Sequence, residues 1–489
     1  MKLASLPKEV LDVVEKLEAA GFKAYIVGGC VRDLLLDREP KDWDVATDAK
    51  PEEIQKIFED SVYENAFGTV GVKTQSTKRE LQIVEVTTFR LEGKYTDKRH
   101  PDEVKFAKTI EEDLSRRDFT VNALALRMAD GIVGETIDPF GGQEDIKNRL
   151  IKTVGKPEER FSEDALRLMR AVRLAVELDF QVDFNTRRAI EKLAGELEII
   201  AKERIRDELV KILQTPRAAQ GIILLEELNL LSYVLPELRE GIGISQNKHH
   251  IYTVFEHNVR SLDYTAKNNY SLLVRLASLL HDLGKPRTKQ GEGPDSTFYQ
   301  HEYVSAKMAV QTLDRLRFPK DFAERVVHLV RYHLFYYNVG EVTAAGVRRF
   351  LARVGPENVP DLLKVREADR IGSGVPKAFP YKLRHLLFMI EKVKRDPLGP
   401  KMLKVDGNDI MKILKIQPGP RVGQILNVLL EDVLDDPQKN TKKYLDSRIR
   451  ELNELTVEEL VKLSEAAKTK RDEFESGVEE EMKKRYYVK

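Results

Sequence analysis

Asp42 and Asp44, one residue apart in the stretch Asp42-Trp43-Asp44-Val45, are the first residues whose type and spacing suggest chemistry. In an extended strand, residues i and i+2 point to one face, so the two carboxylates stand side by side. Like charges that close repel, and a bound metal is the usual reason to tolerate them. Mg²⁺ prefers hard oxygens, and paired Mg²⁺ ions ~3.5–4 Å apart clamp an in-line phosphoryl displacement. An exposed acidic turn is the competing reading. Upstream, a short apolar strand ends in Gly28-Gly29, and a helix carrying Arg32 starts at once. Glycines let a backbone approach a ligand closely, and Arg32 is placed to reach the same phosphate.

Three further groups extend this pattern. Residues 81–89 read as a strand, and Glu85 falls on the side of Leu81 and Ile83. An acid there is costly unless paired or liganded, which makes Glu85 a candidate third carboxylate, with an ion pair to Arg90 as the alternative. Arg116 and Arg117 lie in Asp113-Leu114-Ser115-Arg116-Arg117-Asp118-Phe119-Thr120-Val121-Asn122. They suit a triphosphate and a ribose, or equally a salt-bridged helix start. Asp164 and Arg167 stand at i and i+3 of a strongly helical segment, so one face offers an acceptor and a donor to a base edge. Arg170 and Arg173 continue a basic stripe along it.

A second constellation lies downstream. His281-Asp282 closes a helix whose stop signals are Gly284 and Pro286, with His257 upstream and Asp369 downstream. Imidazole and carboxylate together suit a divalent metal, which lowers the pKa of a bound water for attack on a phosphoester. His301 and His333 are accessory candidates. A lone histidine on an apolar helix is usually a core residue; an adjacent His-Asp pair with further ligands on either side is much rarer.

The elements that must position these groups change along the chain. The first 150 or so residues mix strands and helices, and from about residue 157 the pattern is almost wholly helical. The expected class is therefore α+β, with a small mixed β-sheet at the N-terminal end. At 489 residues, two to four domains are expected. Lys+Arg and Asp+Glu are both 81, so an RNA partner must be held on local basic surfaces. Cys30 is the only cysteine, which excludes an internal disulfide and a cysteine-based zinc site and fits a reducing cytoplasm. No apolar run approaches the ~20 residues of a membrane span. The opening residues read as an amphipathic helix rather than a signal peptide.

Taken in order, GGxVRD, DxD, a strand with Glu, RRDFTxNA and EDxLRxxRAxR resemble the class II nucleotidyltransferases over the first ~215 residues. That group comprises bacterial CCA-adding enzymes, their CC-adding and A-adding relatives, and poly(A) polymerases. The resemblance implies that Asp42 and Asp44 carry catalytic Mg²⁺, with Glu85 as the candidate third ligand. It implies that Gly28, Gly29, Arg32, Arg116 and Arg117 bind the incoming CTP or ATP, and that Asp164 and Arg167 read its base, with Arg170 and Arg173 further along. Residues 91–104 look like the intact flexible loop of CCA-adding members, which favours CCA over CC addition and leaves A-addition open. Residues 241–370 resemble the HD phosphohydrolase superfamily, with His257, His281, Asp282 and Asp369 matching the ligands of a divalent metal, Mg²⁺, Mn²⁺ or Ni²⁺. The implied division is a head (1–150), an all-α neck (151–240), an HD domain (241–395) and a helical tail (396–489) facing the tRNA acceptor arm. An RNA-end phosphohydrolase with a vestigial transferase head is the alternative from another class.

Overall fold

The computed structural model describes residues 6–65, 68–92, 104–129, 132–247, 251–374, 379–395 and 403–469. The loop expected to distinguish CCA from CC addition lies largely outside the described residues. The chain forms two compact units, residues 1–331 with 368–374, and residues 332–367 with 375–489.

The first unit begins with a seven-stranded sheet built from β1 (Ala24–Val27), β2 (Asp44–Thr47), β3 (Ser61–Asn65), β4 (Thr69–Lys73), β5 (Ile83–Thr88), β8 (Ala125–Ala129) and β9 (Ile132–Ile137). Its order is β3-β4-β5-β2-β1-β8-β9. The sheet is mixed, as expected: β2 runs parallel to β5, and the other pairings are antiparallel. A separate ribbon joins β6 (Arg90–Glu92) to β7 (Val104–Phe106). Helices α1 (Lys8–Ala19), α2 (Gly29–Leu35), α3 (Pro51–Ile57), α4 (Ile110–Ser115) and α5 (Gly142–Lys147) complete this part. The apolar stripe of α1, Val10, Val13, Val14 and Leu17, is buried at helical spacing.

One register detail places the site. Val27, the last residue of β1, pairs with Asp44, the first of β2. Because the strands are antiparallel, the glycine turn that leaves β1 and the aspartates that enter β2 meet at one end of the sheet. Beneath them Val27, Ala46, Phe89, Leu114, Ala123 and Ala125 form a buried cluster.

After β10 (Leu150–Ile151) come α6 (Pro157–Glu163) and α7 (Leu166–Leu178), then β11 (Gln181–Val182), which pairs back onto β10. The remainder of this unit is helical: α8 (Phe184–Leu193), α9 (Lys202–Gln214), α10 (Ala218–Glu227), α11 (Leu231–Val234), α12 (Pro236–Arg239), α13 (Val254–Lys267), α14 (Leu272–Leu280), α15 (Lys285–Thr288) and α16 (His301–Arg315) among them. The helix expected to run unbroken through residues 163–173 is interrupted. Asp164 is extended (φ −143°, ψ 104°), and its carboxylate accepts from the Leu166 backbone N–H at 3.0 Å as α7 begins.

In the second unit, helices Gly407–Leu414, Pro420–Asp435 and Lys442–Glu454 bury Ile410, Ile425, Leu429, Leu445 and Ile449 in one core. The Val405-Asp406-Gly407-Asn408-Asp409 motif is a capping box: Asp406 accepts from the Asn408 and Asp409 backbone N–H groups.

Candidate functional site

A cleft of about 590 Å³ opens where the sheet end meets α7 and α9. Gly29, Arg32, Asp42, Asp44, Arg116, Arg117, Asp164, Arg167, Arg170 and Arg173 all line it. Ten of the residues singled out, drawn from four separate motifs, thus converge. Lys41, Asp118, Asn122, Arg204 and Lys211 line it as well and were not singled out as site residues. Nine lining residues are Arg or Lys against six Asp or Glu, so the cleft is locally cationic although the chain is neutral overall.

The aspartates occupy a defined place. Trp43, the only tryptophan, is 4 % exposed and anchors the segment, while its two acidic neighbours face the cleft. Only Asp44 belongs to the strand; Asp42 precedes it. Burial pushes the Asp44 carboxyl above its usual range; Arg117 opposes the rise and Asp42 adds to it. A divalent cation between the two carboxylates relieves both the burial and the mutual repulsion, so the donor set fits hard-cation binding.

Gly28 has φ +85°, and a Cβ there would sit 2.7 Å from an Arg117 Nη atom and 3.3 Å from Asp44 Oδ2. Glycine is required both by the left-handed backbone and by the guanidinium packed against it. Buried Asp113 holds the arginine pair: Arg116 Nη2 lies 2.9 Å from Asp113 Oδ1, and Arg117 Nη2 lies 3.6 Å from Oδ2. Burial works against the Asp113 charge, yet Arg116 and Arg117 keep its carboxyl below the ordinary range. Arg32 is buried and donates to Asp33 at 2.8 Å and to Asn122 Oδ1 at 2.7 Å.

On the opposite wall, Asp164 and Arg167 each hold a further partner. Arg204 of α9 lies 2.7 Å from Asp164 Oδ2, while Arg167 donates to Glu163 and to the Arg160 carbonyl at 3.1 Å. Arg170 and Arg173 are also anchored, to Asp118 at 2.6 Å and to buried Glu208 at 2.7 Å. Burial opposes the charge on Asp118, but Arg170 and Arg167 bring it down to about 2. The anchoring partners Arg204 and Glu208 lie in the Glu203-Arg204-Ile205-Arg206-Asp207-Glu208-Leu209 stretch, which reads from sequence only as a helix closing the neck.

Glu85 sits beside Asp44 in register but is exposed, on the same face as Ile83 at 47 % exposure, and does not line the cleft. The buried positions of β5 are Val84, Val86 and Thr88. The premise of an acid on the apolar face of a strand therefore does not hold, and Leu81 belongs to a short 3₁₀ turn before it.

The second constellation forms a compact cluster in the same unit. One ligand atom from each of His257, His281, Asp282 and Asp369 lies within 4.8 Å of the others. The two Nε2 atoms are 2.9 Å apart, and His257 Nε2 lies 3.1 Å from Asp282 and 3.4 Å from Asp369. An edge of about 3 Å is what two ligands on one ion at ~2.1 Å require. Thr253 caps α13 with Glu256, which fixes His257 in its first turn. His281 Nδ1 lies 2.8 Å from the Ser278 carbonyl and must donate to it, so in the neutral ring Nε2 carries the lone pair. His301 repeats the arrangement, with Nδ1 2.7 Å from the Phe298 carbonyl and Nε2 3.3 Å from Asp282. Burial resists protonation of His281, but Asp282 and Asp369 raise it to about 10. A site that attracts a proton so strongly attracts a divalent cation for the same reason. Lys285, absent from the sequence-derived set, lies 2.6 Å from Asp282. A Cβ on Gly372 would come within 2.8 Å of the His257 carbonyl, so this glycine lets the Asp369 helix close on α13. His333 belongs to the second unit.

Sheet, cationic cleft and histidine cluster define a nucleotidyltransferase-type head joined to a helical region that carries a histidine–aspartate cluster. Residues 24–152 match the family described as "Poly A polymerase head domain", 179–242 that described as "Probable RNA and SrmB- binding site of polymerase A", and 254–372 the HD domain. The A-adding tRNA nucleotidyltransferase of Deinococcus radiodurans is 39 % identical over 68 % of this chain and 76 % of its own length. The CCA-adding enzyme of Enterococcus faecalis is 33 % identical over 91 % of this chain and 97 % of its own. The crystal structure of the Bacillus stearothermophilus CCA-adding enzyme in complex with CTP superposes with a TM-score of 0.59 at 30 % identity, covering 91 % of this chain and 97 % of that one. The chain belongs to the class II CCA-adding nucleotidyltransferase family, in the branch that carries an HD domain.

Proposed function

We propose that this protein adds C, C and A to the 3′ end of tRNA from CTP and ATP, without a nucleic-acid template. One observation carries the reading: Asp42 and Asp44, the Arg116–Arg117 pair and Asp164 with Arg167 line a single cleft. In the reaction the RNA 3′-hydroxyl loses its proton, its oxygen bonds to the α-phosphorus, and pyrophosphate departs. Mg²⁺ held by Asp42 and Asp44 would supply charge neutralisation and activation of the hydroxyl. Arg117, pressed against Gly28, and Arg32 meet the phosphates; Arg116 is fixed beside them through Asp113. Asp164 accepts from the amino group that C and A share, and Arg167 donates to the adjacent ring nitrogen. U and G present the reverse pattern and leave these groups unpaired, which costs selectivity-scale energy.

The histidine cluster supports a second, metal-dependent phosphohydrolase activity, in which a bound divalent ion would supply an activated water. The head, neck, HD and tail boundaries at about residues 150, 240 and 395 and a cytoplasmic location complete the proposal; no helix among the described residues is long and apolar enough to cross a membrane.

Incubation with Mg²⁺ and tRNA ending at the discriminator base tests the transfer reaction. CTP alone should extend the RNA by two nucleotides, ATP alone by none, and both together by three. Extension by ATP only on a preformed CC end would replace this reading with A-addition, the activity named for the Deinococcus relative.

A further inference from the structure

Arg275 lies on α14, the helix that ends at His281-Asp282, and is 3 % exposed. Its guanidinium donates at 2.8 Å to the Tyr270, Leu213 and Thr215 carbonyls and at 3.2 Å to Asn269 Oδ1. All four acceptors are neutral. Burying a charge against neutral groups is expensive, and what makes it tolerable here is the negative end of a helix dipole. Leu213 and Thr215 are at the C-terminus of α9, whose last carbonyls lack partners inside the helix.

Helix α9 is also the support of the cleft's base-facing wall. It carries Arg204 to Asp164 and Glu208 to Arg173, both at 2.7 Å. Its buried apolar side chains, Ile205, Leu209, Ile212 and Leu213, give non-directional packing, while Arg206 in its N-terminal half donates to the Arg317 carbonyl. The paired carbonyl bonds from Arg275 are directional. Arg204 stands roughly 13 Å from Leu213 along the axis at ~1.5 Å per residue, and a slip of about 1 Å at one end arrives undiminished at the other.

We propose that Arg275, a residue of the HD part of the chain, is a positioning residue for nucleotide selection: by clamping the end of α9 it fixes Arg204, and through it Asp164. The inference rests on the reading of Asp164 as a base-edge acceptor. Its consequence is that the transferase cleft depends on a helix that also bears two ligands of the metal cluster.

The test uses the full-length protein with Arg275→Lys, which keeps the charge but loses the fork, and Arg275→Gln, which loses both. KM and kcat for CTP and ATP, misincorporation of UTP, and melting temperature are measured for each. The expected result is a KM for both correct nucleotides raised by about threefold or more, with a comparable loss of C-over-U selection, larger for Gln than for Lys. In an Arg204→Ala background the same substitutions should add little further loss, since the route runs through Arg204. Wild-type KM and selection alongside a lowered melting temperature would show a purely structural clamp and overturn the proposal, as would full additivity with Arg204→Ala. Arg275→Lys carries the test alone if Arg275→Gln does not accumulate. If Asp164→Ala leaves selection intact, the underlying reading of the base pair fails instead, whatever Arg275 does.

Discussion

Asp44, half-buried, and Asp282, buried, are both carboxylates at proposed metal positions, and their surroundings treat them in opposite ways. At Asp44, burial outweighs a single nearby guanidinium, and the carboxyl is pushed toward its protonated form. At Asp282, burial is also adverse, but His281 and Lys285 overcome it and hold the carboxylate charged. The head cleft has its arginines anchored on buried acids such as Asp113 and Asp118, so a positive cradle is preassembled while Asp44 stays under-compensated. On the proposed reading, such a site is completed when a polyanion and its cations arrive together. The histidine cluster has the His281 and His301 rings held by carbonyls and its donors already converged, an arrangement that suits a resident ion. On the proposed reading, one chain thus contains a site that takes its metal with substrate and another arranged to keep one.

That contrast can be broken at either end. Asp44→Asn should lower nucleotide transfer by ~10³-fold while hydrolysis of a phosphoester at the histidine cluster is unchanged, as measured on one preparation. Surviving transfer would mean that Asp44 does not hold the catalytic cations. His281→Ala should remove one tightly bound divalent ion per chain by metal analysis and lower metal-dependent hydrolysis by ~10²-fold, with CCA addition retained. An unchanged metal content would show that the ion binds elsewhere.

Acid titration sharpens the comparison from the scaffold side. Asp118 has its folded pKa depressed to about 2, from an ordinary value of 3.8. A depressed carboxylate contributes stability that is present above its unfolded pKa and is lost as the pH falls through 3.8 toward 2. The contribution is about 2 kcal/mol. Asp118→Asn should therefore be less stable at neutral pH and show a shallower loss across that acid window in denaturant titrations. A parallel pH dependence in variant and parent would remove Asp118 from the list of anchors. The smallest effect is expected at Arg204→Ala, which leaves Asp164 without its cation. C-over-U selection should fall by about tenfold, with kcat for the correct nucleotide little changed. Unchanged selection would return the orienting role to Arg167.

Most of the head site was legible because its logic is local. Alternation around Trp43 put Asp42 and Asp44 on one side, and the strand-turn-helix at Gly28 needed only its pairing with Asp44 to become a cleft. The histidine cluster was legible through the rarity of its ligand pattern. What escaped was long-range or a matter of which face turns inward. Arg204 reaches Asp164 across forty residues of chain, and nothing near Asp164 announces that partner. The break before α7 carried a cue: an Asp ahead of an apolar run is a cap signal, and Asp164 indeed accepts from the Leu166 N–H. Glu85 misled because Ile83 looks like a core residue, yet in a strand covered on one side an isoleucine can face out, and here the alternation buries the even positions.

Trp43 has one more consequence. As the chain's sole indole, shielded from water at 4 % exposure and flanked on both sides by the carboxylates of the cleft, it is a built-in optical probe. Its ultraviolet emission should shift in intensity as Mg²⁺ and CTP are titrated in, giving a label-free binding curve for the head.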